Sequence, residues 1–169
     1  GSAVIATSGL FEETIILPID PQKLGYTFVD WYKDEALTQV NDITAYPDSD
    51  ITLYAKWDAA ESTIKFDTKG GDELDDLVEL TGDAITLPTP TKAGYEFLGW
   101  FKDDQLTVSF DDTTMPAGMT LVYAKWQVKT YAITYDSVGG SLVTGESHPF
   151  MTPIVEPAEP TKTDYIFNG

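Results

Sequence analysis

The octapeptide Gly94-Tyr95-Glu96-Phe97-Leu98-Gly99-Trp100-Phe101 decides how the rest of the chain is read. Apolar residues stand on both sides of its period-two alternation, the pattern of a strand covered on both faces or lying at one edge of a small sheet. Downstream, 26 residues after Trp100, it is answered by Tyr123-Ala124-Lys125-Trp126. The same pair stands upstream as Gly25-Tyr26-Thr27-Phe28-Val29-Asp30-Trp31-Tyr32 and Tyr54-Ala55-Lys56-Trp57. It begins again at Asp164-Tyr165-Ile166-Phe167-Asn168-Gly169. Trp31 and Trp100, like Trp57 and Trp126, lie 69 residues apart. Self-similarity at such a period is the signature of a domain array. The expected units are 1–57, a complete 63–126, and 128–169.

Outward from the octapeptide, each unit is punctuated in the same way. In unit two, Thr63–Asp67 alternates as a strand and Gly70-Gly71 supplies the positive φ of a hairpin turn. A second strand is expected within Leu74–Leu80, then a turn at Gly82-Asp83 and a Pro-to-Gly segment from Pro88 to Gly94. In unit one, Ala3–Thr7 reads as a strand, Thr14–Leu17 as a second apolar burst, Pro18–Gly25 as a turn or a single helical turn, and Lys33–Pro47 as a connecting loop. Asp50–Trp57 closes that unit as a strand, and Asp58–Ser62 reads as a short linker. In unit three, Asp164 stands in the place of the turn glycine, and Asp is among the few residues that tolerate the left-handed region. Unit one lacks the counterpart of Thr63–Gly70, and unit three lacks everything from the core tryptophan onward. Exposed strand edges should follow. Either the missing strand of unit one is replaced, or the truncated end units associate between molecules.

Ten basic against 28 acidic residues give a net charge of −18, which argues against nucleic acid and against adsorption to anionic membranes. No apolar run is long enough to span a bilayer, so no membrane insertion is expected of this segment. Gly1-Ser2 reads as a cloning remnant, which leaves a leader in a parent chain open. The absence of cysteine removes disulfides and thiolate metal sites.

No residue pattern points to catalysis. His148 is the only histidine, and no nucleophile elbow or triad accompanies it. The acidic pairs Asp48/Asp50, Asp72-Glu73, Asp75-Asp76, Asp103-Asp104 and Asp111-Asp112 fit no calcium loop and read as solvated loop charge. We expect no catalytic residue, no metal and no cofactor. The aromatic residues read as packing groups rather than as a glycan platform. The expected core motif is Tyr26, Phe28, Trp31 and Trp57 in unit one, and Gly94, Tyr95, Phe97, Gly99, Trp100, Tyr123 and Trp126 in unit two. Tyr165 and Phe167 complete it in unit three. Lys56 and Lys125 are expected over neighbouring rings, and Tyr32 and Phe101 are the expected exposed aromatics.

Two lines, Pro90-Thr91-Lys92-Ala93-Gly94-Tyr95-Glu96-Phe97-Leu98-Gly99-Trp100-Phe101 and Met119-Thr120-Leu121-Val122-Tyr123-Ala124-Lys125-Trp126, resemble the Listeria–Bacteroides repeat, the B repeat of internalin-type bacterial surface proteins. The resemblance covers nearly the whole chain. Departures are Gln22 for Thr, Asp30 for the second glycine and Asp164 for the first. The resemblance implies an α+β, mostly β fold: tandem small modules similar to the β-grasp, ubiquitin-like fold. It implies an extracellular site on the bacterial surface or cell wall and a non-enzymatic role as spacer, stalk and adhesion module. The alternative is a binding module for a host or neighbouring-cell surface protein or glycan, acting through exposed aromatic or acidic patches.

Overall fold

The computed structural model describes residues 1–169 and contains eight strands and no helix. They are β1 (Tyr26–Tyr32), β2 (Tyr54–Ala59), β3 (Glu61–Asp67), β4 (Leu77–Leu80), β5 (Tyr95–Phe101), β6 (Met119–Val128), β7 (Thr130–Ile133) and β8 (Glu146–Pro149). They form two two-stranded sheets, β1-β2 and β7-β8, and one four-stranded sheet in the order β4-β3-β6-β5.

The chain is therefore all-β, which corrects the expected α+β class and leaves the β-grasp expectation without its helix. The reason lies in how the connecting segments use their amides. Pro88 and Pro90 lack N–H groups and hold the residues before them extended. Ile85 N–H donates to Thr113 O at 3.0 Å and Met115 N–H to Asp83 O at 2.8 Å, so both loops are tied sideways. Further on, the Asp103 carboxylate accepts the N–H groups of Thr107 (3.1 Å) and Val108 (2.7 Å). A side chain that captures amides in this way competes with a helix for them. Pro18–Gln22 likewise forms no helical turn, and the chain reverses through a bridge between Lys23 and Tyr26.

The strand expected at Ala3–Thr7 in unit one is also absent. Ala3–Thr7 has no regular partner, and Thr14 makes only an isolated bridge to Ala45. The Asp58–Ser62 stretch, read as a linker, is strand on both sides of the single residue Ala60.

The motif strands are bent at one place. Register shifts between Phe28 and Asp30 in β1, and between Phe97 and Gly99 in β5. Such a bulge places two residues opposite one and strengthens the local twist. Gly99, at φ +121°, sits in this bend of β5 with no heavy atom close to where a Cβ would be.

Contacts gather the chain into two compact units. The first comprises Gly1–Phe66, Asp75–Leu87 and Asp111–Val122. Trp31, Tyr32, Ile64, Met115 and Val122 form its buried apolar core, with Ser62 and Thr81 buried beside them. The second comprises Asp67–Leu74, Pro88–Phe110 and Tyr123–Gly169, and its buried apolar residues are Trp100, Phe110 and Ala124.

Candidate functional site

The motif of the complete repeat is a cage of rings closed by lysine. Trp100 is 4% exposed, and its indole Nε1–H donates to Pro88 O at 2.9 Å, so its one polar group is satisfied. Phe97 meets Trp100 edge-on at 5.3 Å and Trp126 at 5.4 Å between ring centroids. Trp126 Nε1–H donates to Thr68 O at 2.8 Å. The Lys92 ammonium lies 4.6 Å from the Tyr95 ring centroid and 5.8 Å from that of Trp126, and donates to Lys69 O at 2.7 Å. The Pro-Thr-Lys segment thus plugs the Gly-Gly hairpin turn with a cation, and Thr91 bonds Asp72 beside it.

Repeat one builds the same cage. Phe28 stands 5.5 Å from Trp31 and 5.6 Å from Trp57, both edge-on. Lys23 sits 3.6 Å over Tyr26 and 5.9 Å from Trp57. In repeat three, Lys162 lies 4.7 Å over Tyr165 and donates to Val138 O at 2.9 Å. Tyr165 and Phe167 are exposed, at 70% and 47%. Asp164 holds φ +64° and Tyr165 N–H still reaches Lys162 O at 3.2 Å, so the turn survives its change of residue.

Gly94 is half-buried at the head of β5, and Tyr123 on β6 pairs with Phe101 and carries Lys69 4.9 Å from its ring centroid. Lys125 lies 4.6 Å over Phe101 and Lys56 5.2 Å over Tyr32, both as expected. Tyr32 is buried rather than exposed, and Phe101 is half-buried. Lysine stems lying on these rings account for the difference.

The charged groups are spread through the loops. Asp103 takes backbone bonds from Thr107 first of all, which hold its carboxyl below the usual carboxylate range. Asp34 is lowered chiefly by the Thr38 hydroxyl, 2.8 Å away, in the matching turn of repeat one. Asp42 is lowered by its bond from Lys33, and Lys69 is raised by its bond to Asp104. The Tyr135 phenol is raised, first by burial and then by the Glu146 charge. His148 Nε2 lies 2.8 Å from Glu146 Oε2. No group of three or more His, Cys, Asp or Glu side chains converges as metal ligands would. No helix is long and apolar enough to cross a membrane.

Sequence reasoning passed over the Asp–x3–Thr turns at Asp34/Thr38 and Asp103/Thr107, although their 69-residue recurrence was a usable signal. It also passed over Thr81 and Phe150, whose side chains differ and so advertise nothing in common.

The family comparison matches all three repeats, at residues 1–56, 63–125 and 131–169, to the Listeria-Bacteroides repeat domain. The chain belongs to the Listeria-Bacteroides repeat family. Over 173 residues it is 36% identical to a protein of Evansella cellulosilytica described as a Gly-rich membrane protein, covering all of this chain and 20% of the relative. A second membrane protein of that organism is 36% identical over 172 residues, covering all of this chain and 26% of the relative. Internalin H of Listeria monocytogenes is 34% identical over 125 residues, covering 68% of this chain and 21% of that protein. The chain thus spans about a quarter or less of the length of these relatives. No solved structure gives a significant match. As a Listeria-Bacteroides repeat segment, the chain is a non-enzymatic, repeat-built part of a bacterial surface protein.

Proposed function

We propose that this segment is a spacer that carries other parts of its parent protein away from the bacterial envelope and presents them for adhesion. One observation carries the reading: the same internal bonds recur from repeat to repeat. The lysine-to-carbonyl plug of the hairpin turn appears at Lys92 and at Lys162, and the ring cage at Trp31 and at Trp100. What is repeated is a packing solution, and a packing solution serves length. The net charge of −18 keeps such segments soluble and mutually repelling. The repeating module is proposed to be 63–126, with 1–57 and 128–169 as its partial copies.

The test is made on cells. Tagged parent proteins carrying one, two and three copies of the repeat are displayed, and antibody access to the distal tag is measured. Access should rise with repeat number. Access independent of repeat number overturns the spacer reading.

A specific observation favours association between molecules as a second role. Repeat one exposes Ile5, Ile16 and Ile19 at 87%, 83% and 93%, and repeat three exposes Leu142 and Ile166 at 90% and 86%. Apolar surface of this kind seeks a partner, either a host or neighbouring-cell surface protein or a second copy of the chain. Sedimentation at several concentrations giving only monomer removes the second copy. A glycan array and a surface-protein panel that both stay silent remove the adhesive partner.

A further inference from the structure

The boundary between repeats is built as an interface. In the first compact unit, β2 passes into β3 through Ala60 alone. Ala60 N–H donates to Gly25 O at 2.9 Å, and Ala60 O accepts Thr81 N–H at 2.9 Å. In an antiparallel ladder, one residue exchanges both of its bonds with one partner. Here the pair is divided. Gly25, at the head of β1, belongs to repeat one; Thr81, at the tail of β4, belongs to repeat two. The two strands abut end to end along one edge of the strand that runs through the boundary.

The gap between them is tightly filled. A Cβ on Gly25 would lie 2.6 Å from Thr81 Oγ1 and 2.7 Å from Ala117 Cβ, so no side chain fits there. Thr81 Oγ1 lies 2.8 Å from Ser62 Oγ, which accepts Gly118 N–H at 2.8 Å. Both hydroxyl-bearing residues are buried, Ser62 at 2% and Thr81 at 9% exposure.

The second compact unit repeats the construction with different side chains. β6 passes into β7 through Lys129 alone. Lys129 N–H donates to Gly94 O at 2.8 Å, and Lys129 O accepts Phe150 N–H at 2.8 Å. A Cβ on Gly94 would fall 2.1 Å from Phe150 Cδ1. The Phe150 ring stands edge-on to Tyr95 and Tyr131 at 6.2 and 6.3 Å.

We propose that each repeat boundary is a stiff interface in which the turn glycine of one repeat receives a wedge from the next. The wedge is Thr81 at the first boundary and Phe150 at the second. Its size and chemistry select which neighbour fits: a small hydroxyl that joins a buried bond network, or a ring that joins an aromatic stack. The inference deepens the spacer reading, because stiff joints let length translate into distance. Its test is independent of cells, so a failed display experiment and a flexible joint remain separate results.

The chain has no cysteine, so paired nitroxide labels can be placed without background. Exposed Glu35 and Glu79 flank the first joint, and exposed Gln105 and Ser147 flank the second. Each pair is changed to cysteine, labelled, and its distance distribution measured by double electron–electron resonance. A single narrow distribution across each joint is expected. A broad distribution in protein whose tryptophan emission is native overturns the proposal. Inserting Gly-Ser-Gly after Ala60 should broaden the first distribution by about twofold or more, as a flexible connection does. Wedge selection is read from Thr81→Phe and Phe150→Thr, each of which should broaden the distribution at its own joint and leave the other unchanged. Unchanged widths in Phe150→Thr, the variant that removes bulk, overturn the selection.

Discussion

Trp100 shows how much a single side chain carries. It is 4% exposed, bonded at its one polar atom and packed against Phe97. Trp100→Ala removes the ring and leaves a cavity, which should cost about 3–5 kcal/mol. Chemical denaturation of the variant measures this, and a stability within error of the parent would show that the ring is not a core element. Val138 presents the opposite case. It holds φ +49° while the residue is 74% exposed, so a β-branched residue occupies the left-handed region with little burial in return. Val138→Gly should relieve that strain and stabilise the chain by about 1 kcal/mol net of glycine's greater freedom when unfolded. A lowered melting temperature would contradict this. The titrating residues give a pH dependence of definite sign. The Thr38 hydroxyl on Asp34 and the Thr107 backbone N–H on Asp103 hold the folded-state pKa of each carboxyl below its ordinary value. Each therefore contributes stability that is present above the unfolded value and lost as pH falls through the folded one. Asp103→Asn should flatten the acid limb of a melting-temperature profile below about pH 4. An acid limb as steep as the parent's would remove Asp103 from this role.

At the scale of elements, the hydroxyl pair between β3 and the end of β4 supports more than its own bond. Ser62→Ala leaves the Thr81 hydroxyl and the Gly118 N–H without the oxygen they share. One such loss in a buried site should cost about 1–3 kcal/mol. Ser62→Ala combined with Thr81→Val restores an apolar surface and should recover part of that cost, as a double-mutant cycle would record. If the single and double variants lose the same stability, the pair is not coupled. The elements also show what sequence can carry. The strands β1, β5 and the end of β6 were legible because Tyr26, Phe28 and Trp31 recur as Tyr95, Phe97 and Trp100, side chain for side chain. The left-handed turn at Asp164 was legible from the residue type. The absence of any helix was not, because it depends on which amides Asp103, Asp83 and Thr113 capture across loops. The abutting strands were equally hidden. Ala60 and Lys129 act through backbone atoms that every residue other than proline possesses.

For the whole molecule, recurrence made the array plain before any coordinate was known, and the family match bears that membership out. The contacts tell what recurrence could not. Each compact unit contains one repeat boundary together with the strand residues that flank it, 54–66 in the first and 123–133 in the second. That continuity has a consequence for how the chain meets digestive enzymes. A protease needs backbone that can leave its hydrogen bonds, and cleavage follows the segments that open most readily. Tethers between ordinary domains are cut first and release the domains one by one. Here the residues joining the repeats are bonded into the strands, whereas the mostly exposed loop stretches 35–39 and 111–113 lie outside them. Limited digestion should therefore nick the loops and spare Asp58–Ser62 and Val128–Thr130, as mass spectrometry of the earliest fragments would establish. Early release of intact single repeats would contradict it. A segment made this way offers a protease no seam at its repeat boundaries.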